Sequence, residues 1–328
     1  MNSPHLQNLS QIWPFKRLRV DWFAPWHPEL DAAQRLLPGM ETCPPDSYRE
    51  LIEIPDSRPK RTALVTERGN PVAVIGLKYE SSQWRPVTTW LVPGAVFPVA
   101  DGYLLAALAA LRLPIFVAWW RQQVPPPAAG FLIDHIQATP THRLSCAAGF
   151  EAYWRNSGLA RDIAKARKRC ADMRFEVNLV GADEWAITNW ARRWSTPGSS
   201  HVPESVERIA VSRYWSPRGR QFTFALLDGD RLAAADVCFA HQGDIVGQVH
   251  YRDPAYEKHL VGTRLIEAVH MWAAESGFLG QDFGGGHAYK KRWAPEGGTR
   301  WEFTLGDNPL TPSRIAKAVW HRGRRAMS

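Results

Sequence analysis

Cysteine is scarce: four in 328 residues, Cys43, Cys146, Cys170 and Cys238, set far apart with no CxxC pair and no histidine at ligand spacing. That pattern excludes a zinc ribbon and a disulfide scaffold and leaves buried or idle thiols, so no metal is expected. Long apolar runs are missing too. Two apolar uncharged stretches, Val87 to Ala100 and Gly102 to Leu111, are interrupted by Pro93, Pro98 and Asp101. They fall short of the ~18–20 residues a membrane span needs. Met1 to Phe15 holds no continuous apolar segment, so a secretory signal is not expected and the protein reads as cytoplasmic.

What is present is ordinary globular material. Hydrophobic residues make up 45% and charged residues 22%, which excludes disorder, collagen-like repeats and coiled coil. At roughly 100–200 residues per domain, the length suggests two domains or one large α/β unit. The formal charge of +8 suits a polyanionic partner such as CoA, a phospho-sugar or tRNA, and equally a solvated basic face.

Two segments repeat one order of elements. In the first, Arg17 to Phe23 reads as a strand and Pro28 to Leu37 as a helix, and Thr62 to Glu67 and Val72 to Tyr79 flank the turn cluster Arg68-Gly69-Asn70-Pro71. A β-like run at Val87 to Val92, a helix from the N-cap Asp101 to Leu111 and a strand at Ile115 to Trp119 follow. In the second, Glu204 to Tyr214 reads as helix, and Phe222 to Leu227 and Leu232 to Ala240 flank Asp228-Gly229-Asp230. A turn at Gln242-Gly243 leads to the strand Ile245 to Tyr251, then the helix Gly262 to Ser276 and the strand Leu279 to Phe283. Three antiparallel strands, a helix and a further strand require a mixed sheet closed by a crossover in each half. The seam lies at Pro125 to Pro127 and on to His142, with His135 to Leu144 open to either sheet. The expected division is 1–142, 143–310 and a basic tail or helix over 311–328. Tyr153 to Arg169 reads as a helix that buries Leu159, Ile163 and Ala166 and turns Arg161, Lys165, Arg167, Lys168 and Arg169 outward.

Two segments carry chemistry. Asp253 to Leu265 runs from a strand end into a helix start, where free amides and a partial positive charge favour an anion. Gly262 lets that backbone come close, and Lys258, His259 and Arg264 add charge. Downstream, Gln281 to Pro295 places Gly284, Gly285 and Gly286 after a strand end, followed by His287, Tyr289, Lys290, Lys291, Arg292 and Trp293. Glycine allows close approach there, and strand-end loops are where α/β sheets hold ligands. A tight turn followed by an exposed basic helix start reads equally well.

From about Phe150 to Leu305 the chain resembles the second half of a FemAB-like protein of the GNAT acyltransferase superfamily, in particular the cellulose-biosynthesis-type acetyltransferases. The basic helix, "GDRLAAADVCF", "DPAYEKHLVGTRL" and "DFGGGHAYKKRWAP", in that order, carry the resemblance. Two departures stand out. Val261 precedes the helix-start glycine where the family often has proline, and Gly286-His287-Ala288 replaces an acidic stretch before Tyr-Lys. The resemblance implies an α/β protein of tandem GNAT-like domains, each a mixed, mostly antiparallel sheet flanked by helices, the first degenerate. It also implies acyl transfer from acyl-CoA to an amine or hydroxyl of a small metabolite or saccharide precursor.

On that reading the donor pyrophosphate sits at Val261, Gly262, Thr263 and Arg264 with Lys258 and His259 nearby, and the strand ending near His250 and Tyr251 offers the oxyanion donor. His287, Asp236 and Asp282 compete as proton acceptor, with capping of the glycine turn the more natural task for Asp282. Tyr289 is the candidate leaving-group acid, and Lys290, Arg292 and Trp293 are candidate substrate contacts. No covalent intermediate is needed, which suits the lack of a GxSxG elbow or a paired Cys and His motif. Two rivals stand beside this reading: an aminoacyl-tRNA-dependent transferase using the basic helix Arg161 to Arg169 for tRNA, and a non-catalytic GNAT-fold binding protein.

Overall fold

The computed structural model describes residues 18–37, 45–53, 58–88, 97–100, 102–120, 133–195, 201–285 and 288–306. The chain divides into two compact units, Met1–Ala138 with Arg300–Ser328, and Thr139–Thr299. Among the described residues no helix is long and apolar enough to cross a membrane.

Unit 1 comprises β1 (Leu18–Phe23), α1 (Pro28–Arg35), α2 (Pro45–Glu53), β2 (Lys60–Glu67), β3 (Asn70–Glu80), β4 (Gln83–Pro86), α3 (Leu104–Ala110) and β5 (Ile115–Trp120). Its sheet runs β1-β2-β3-β4-β5 and then β12 (Glu296–Leu305), which pairs with β5 through Trp301 to Leu305. Among the described residues only β4 and β5 are parallel, through Trp84 and Ile115. The β2–β3 hairpin turns on Arg68 and Gly69 at φ 51° and 83°, the pair of positive values a type I′ turn requires. Helix α2 docks on β3 where a side chain is missing: the Gly76 amide donates to the Tyr48 hydroxyl at 2.6 Å, and Ile52 fills the space a Cβ would take. The β-like run expected at Val87 to Val92 is corrected. The strand ends at Pro86, Val87 and Thr88 form a turn, and 89–92 lie outside the described residues, as does Asp101.

Unit 2 contains the end of β6 (Ile133–Ser145), α4 (Glu151–Asn156), α5 (Ala160–Arg169), β7 (Arg174–Val177), α6 (Ala182–Trp194) and α7 (His201–Trp215). Then follow β8 (Gln221–Asp228), β9 (Arg231–His241), β10 (Asp244–Arg252), α8 (Val261–Glu275), β11 (Gly280–Gly285) and α9 (Lys290–Trp293). The order is β6-β11-β10-β9-β8-β7, with β10 and β11 parallel and the others antiparallel. The His135 to Leu144 segment belongs to β6, which pairs with β11. The single helix expected over Tyr153 to Arg169 is split, because Gly158 at φ 74° closes α4 and α5 starts two residues later. The burial of Leu159, Ile163 and Ala166 is as the spacing required.

Alternation along β8 and β9 gives the sheet two apolar faces. Phe224, Leu226, Ala234 and Cys238 meet Val261, Leu265, Val269 and Ala273 of α8, while Ala225, Leu227, Ala235 and Val237 meet Ala182, Ala186 and Ile187 of α6. Alanines at these positions let helices lie close on both sides. Cys170 and Cys238 are buried, and burial pushes the Cys238 thiol well up.

Candidate active site

The parallel ladder between β10 and β11 has three rungs, Asp244 to Val246 against Gly280 to Asp282, although β10 continues to Arg252 and β11 to Gly285. Beyond those rungs the strands part. Gly247 is exposed in mid-sheet, and a β-bulge follows between Gly247 and Val249, so Gln248 is the inserted residue. A strand hydrogen-bonds on both edges. From Gly247 onward the β10 edge turned toward β11 has no β11 rungs among the described residues.

The bulge also decides which side chains meet. Past it, His250 stands opposite Asp236 of β9, and the Asp236 carboxylate, in a side chain 7% exposed, bonds the His250 Nδ1. A carboxylate at Nδ1 fixes the tautomer that leaves the lone pair on Nε2. That Nε2 faces the first turn of α8: a Cβ on Gly262 would lie 3.4 Å from it and 3.6 Å from Arg252 Cδ and Nη1. Helix α8 starts from Leu260 at φ 61°, a residue that offers no side-chain cap to the first amides. The loop before it is held in place. Arg169 donates to the Lys258 carbonyl at 2.5 Å, Cys170 Sγ to the His259 carbonyl at 3.3 Å, and Asp253 accepts from the Ala255 amide at 2.9 Å.

Tyr289, which follows the glycine segment and is 48% exposed, lies within electrostatic reach of Asp236 and Arg252. Dehydration pushes its phenol up, the charge of Asp236 adds to that, and Arg252 opposes it, so the hydroxyl keeps its proton at neutral pH. Asp236, His250, Arg252, Gly262 and Tyr289 form one constellation. Val261 is buried beside it, Thr263 is partly exposed, and the Lys258 and His259 side chains are exposed.

The other candidates are engaged elsewhere. Arg264 donates to Glu267 at 3.0 Å, and Glu267, 1% exposed, also receives Arg167 at 2.5 Å. Asp282 accepts from the Gly284 amide at 2.6 Å and so holds the turn. Lys290 Nζ donates to the Gly285 carbonyl at 2.8 Å, and Arg292 pairs with Asp162 at 2.6 Å. Trp293 is 4% exposed, with Trp154 against it edge-on and donating to its carbonyl at 3.2 Å. His287 lies outside the described residues.

The family described as "Acetyltransferase (GNAT) domain" matches residues 157–292, almost the whole of unit 2. Over those residues unit 2 is similar to a GNAT acetyltransferase domain. No curated protein sequence matches the chain. Among solved structures, the chain is similar to a tandem GNAT protein from the clavulanic acid biosynthesis pathway, at 13% identity and TM-score 0.50, over 90% of this chain and 100% of that one. A conserved protein of unknown function from Bacteroides thetaiotaomicron gives 10% and 0.53 over 88% and 99%. L-PGS from Bacillus licheniformis gives 11% and 0.52 over 90% and 96%. At such identities the likeness speaks for the fold, which is that of tandem GNAT-like α/β units.

Two members of this constellation were not read as side chains from the sequence: His250, taken there only with Tyr251 as the end of a strand offering a backbone donor, and Arg252, which was not singled out. A signal existed in the acid Asp236 and the base His250 on neighbouring hairpin strands. Without the bulge, the register set at Asp244 and His241 would have put Val249 opposite Asp236.

Proposed function

We propose that unit 2 is an acyltransferase that moves an acyl group from acyl-CoA to an amine or hydroxyl of a small molecule. The observation that carries this is the Asp236–His250 pair placed where β10 parts from β11 and aimed at the first turn of α8. The first-turn amides of α8, with Arg252 beside Gly262, hold the donor phosphates. The open edge of β10 takes the donor chain as an added strand and supplies an N–H to the carbonyl oxygen as negative charge develops. His250 Nε2 takes the proton of the attacking amine or hydroxyl. A C–N or C–O bond forms, the C–S bond breaks, and Tyr289 gives its proton to the leaving thiolate.

The test is release of free thiol from acetyl-CoA and longer acyl-CoAs across a panel of amine and hydroxyl acceptors, with donor affinity measured alongside. His250→Gln is expected to lose turnover and keep donor affinity. Unchanged turnover in that variant, or loss of donor affinity with turnover per bound donor intact, refutes the assignment of His250 as base.

One observation favours a second reading, transfer from an aminoacyl-tRNA. Arg161, Lys165 and Lys168 are exposed at i, i+4 and i+7 along α5. If they contact a polynucleotide, each lost cation lowers the slope of log affinity against log salt by roughly one unit.

A further inference from the structure

The cations of α5 do not act alike. Arg167 is taken up by the buried Glu267 and Arg169 by the Lys258 carbonyl. Arg161 and Lys165 instead line a hollow of about 540 Å³ with Arg155 of α4 and Arg292 of α9. Among the described residues Asp162 is the sole carboxylate lining it, and it pairs with Arg292, so the hollow keeps a positive excess. Gly158 at φ 74° leaves the hollow open on one side, with no atom near where a Cβ would stand. A volume of this size suits a small molecule. Guanidinium groups bind the oxygens of phosphate two at a time, and a phosphate monoester carries about −1.5 to −2 charges at neutral pH, which matches the excess better than a single carboxylate does.

We propose that this hollow is a binding site for the phosphate monoester of a small molecule. The inference does not depend on acyl transfer, and the hollow shares no residue with the Asp236, His250, Gly262 and Tyr289 constellation. Its side chains are at the surface, so substitutions there leave the fold intact.

The experiment measures pyrophosphate binding by calorimetry for the full chain, for Arg161→Ala with Lys165→Ala, and for Lys168→Ala, a cation of the same helix outside the hollow. The double variant is expected to bind at least about tenfold more weakly, with Lys168→Ala close to wild type. CoA and dephospho-CoA, which differ by one phosphate monoester, separate the sources. If the preference for CoA collapses in the double variant, the donor's own 3′-phosphate occupies the hollow. If that preference stays while the pyrophosphate response is lost, a separate phosphorylated ligand does. Both results support the site. Equal pyrophosphate affinity in the double variant and wild type overturns it. So does an equal loss in Lys168→Ala, which would mark a diffuse charge effect, and so does binding of a short RNA without binding of pyrophosphate, which would assign the stripe to a polynucleotide.

Discussion

In unit 1 the third strand of the meander, β4, is four residues long and meets the returning β5 through one pair, Trp84 and Ile115. In unit 2 the corresponding β10 is nine residues long and meets β11 through three pairs before the two diverge. The cross-strand partners differ as much. Unit 1 sets Lys78 opposite Arg85 and ties Arg85 to Glu80, whereas unit 2 sets Asp236 opposite His250. The crossover helices diverge too: α3 is LLAALAA with no glycine at its start, and α8 opens on Val261-Gly262. Both units obey one topology, so topology alone does not make a site. A longer strand, one inserted residue and a glycine at the helix start separate the unit with acid–base groups at its sheet opening from the unit without them.

The sharpest way to break that contrast is to remove the pair. Asp236→Asn and His250→Gln are each expected to lower turnover about 10²–10⁴-fold. Arg85→Gln, at the corresponding strand of unit 1, should leave turnover at the wild-type level. Matching losses in steady-state assays of all three variants would mean that unit 1 takes part in the chemistry and that the contrast is false.

The frame of both units was legible because short-range signals write it: Arg68-Gly69 and Asp228-Gly229 fix hairpins, and the apolar stripe Leu265, Ile266, Val269 and Ala273 fixes the sheet-facing side of α8. The family resemblance drew attention to the helix-start glycine, Gly262. What stayed hidden depends on long-range register. No residue type announces the Gln248 bulge, yet it turns a Val249–Asp236 pairing into His250–Asp236. β12 reads poorly because Glu296-Gly297-Gly298 opens it, and those glycines lie against β6, where a Cβ on Gly297 would come 2.8 Å from Arg143 Cβ. Arg264 and Arg292 looked available on a basic surface; Glu267 and Asp162, distant enough in the chain or buried enough to escape notice, engage them.

The crossover helices offer a second contrast, in acid. α8 buries His270, 0% exposed, edge-on to Phe150 and Trp154, and burial pushes its pKa down to about 4; α3 carries only leucine and alanine. The folded state then binds fewer protons than the unfolded one. The stabilisation is complete above the ordinary histidine range near pH 6.5 and is lost as pH falls toward about 4, by at most about 3 kcal/mol. Amide exchange at pH 7 and pH 4.5 should show unit 2 losing protection before unit 1, and His270→Phe should flatten the difference. Equal loss in the two units would remove His270 as its source.

Two glycines sharpen the comparison further. In Gly76→Val the new Cβ meets Ile52 at 2.5 Å and crowds the Tyr48 hydroxyl at 3.3 Å, so a stability loss of about 1–3 kcal/mol is expected. In Gly262→Val the nearest atom to the Cβ is His250 Nε2 at 3.4 Å, ordinary contact distance, so the melting temperature should hardly move while donor binding weakens. The two substitutions are chemically identical and should give opposite readouts, stability in unit 1 and ligand affinity in unit 2. A Gly262→Val protein that binds CoA normally would detach the start of α8 from the site.

The smallest expected effect concerns Tyr289. Its hydroxyl lies within the fields of Asp236 and Arg252, and dehydration keeps it protonated, which suits a proton donor to a leaving thiolate. A thiolate leaves as an anion more readily than an amine or alkoxide does, so the donated proton helps without being indispensable. Tyr289→Phe should therefore lower kcat by about tenfold, at the modest end of or below the range for a positioned acid, and leave donor affinity unchanged. The pH profile separates an acid from a packing residue. If Tyr289 supplies the proton, the wild-type rate falls at high pH where the phenol ionises, and the Phe variant loses that limb. A variant that keeps the limb, or matches wild type in rate, places the proton source elsewhere and leaves Asp236 and His250 as the whole of the difference between the two units.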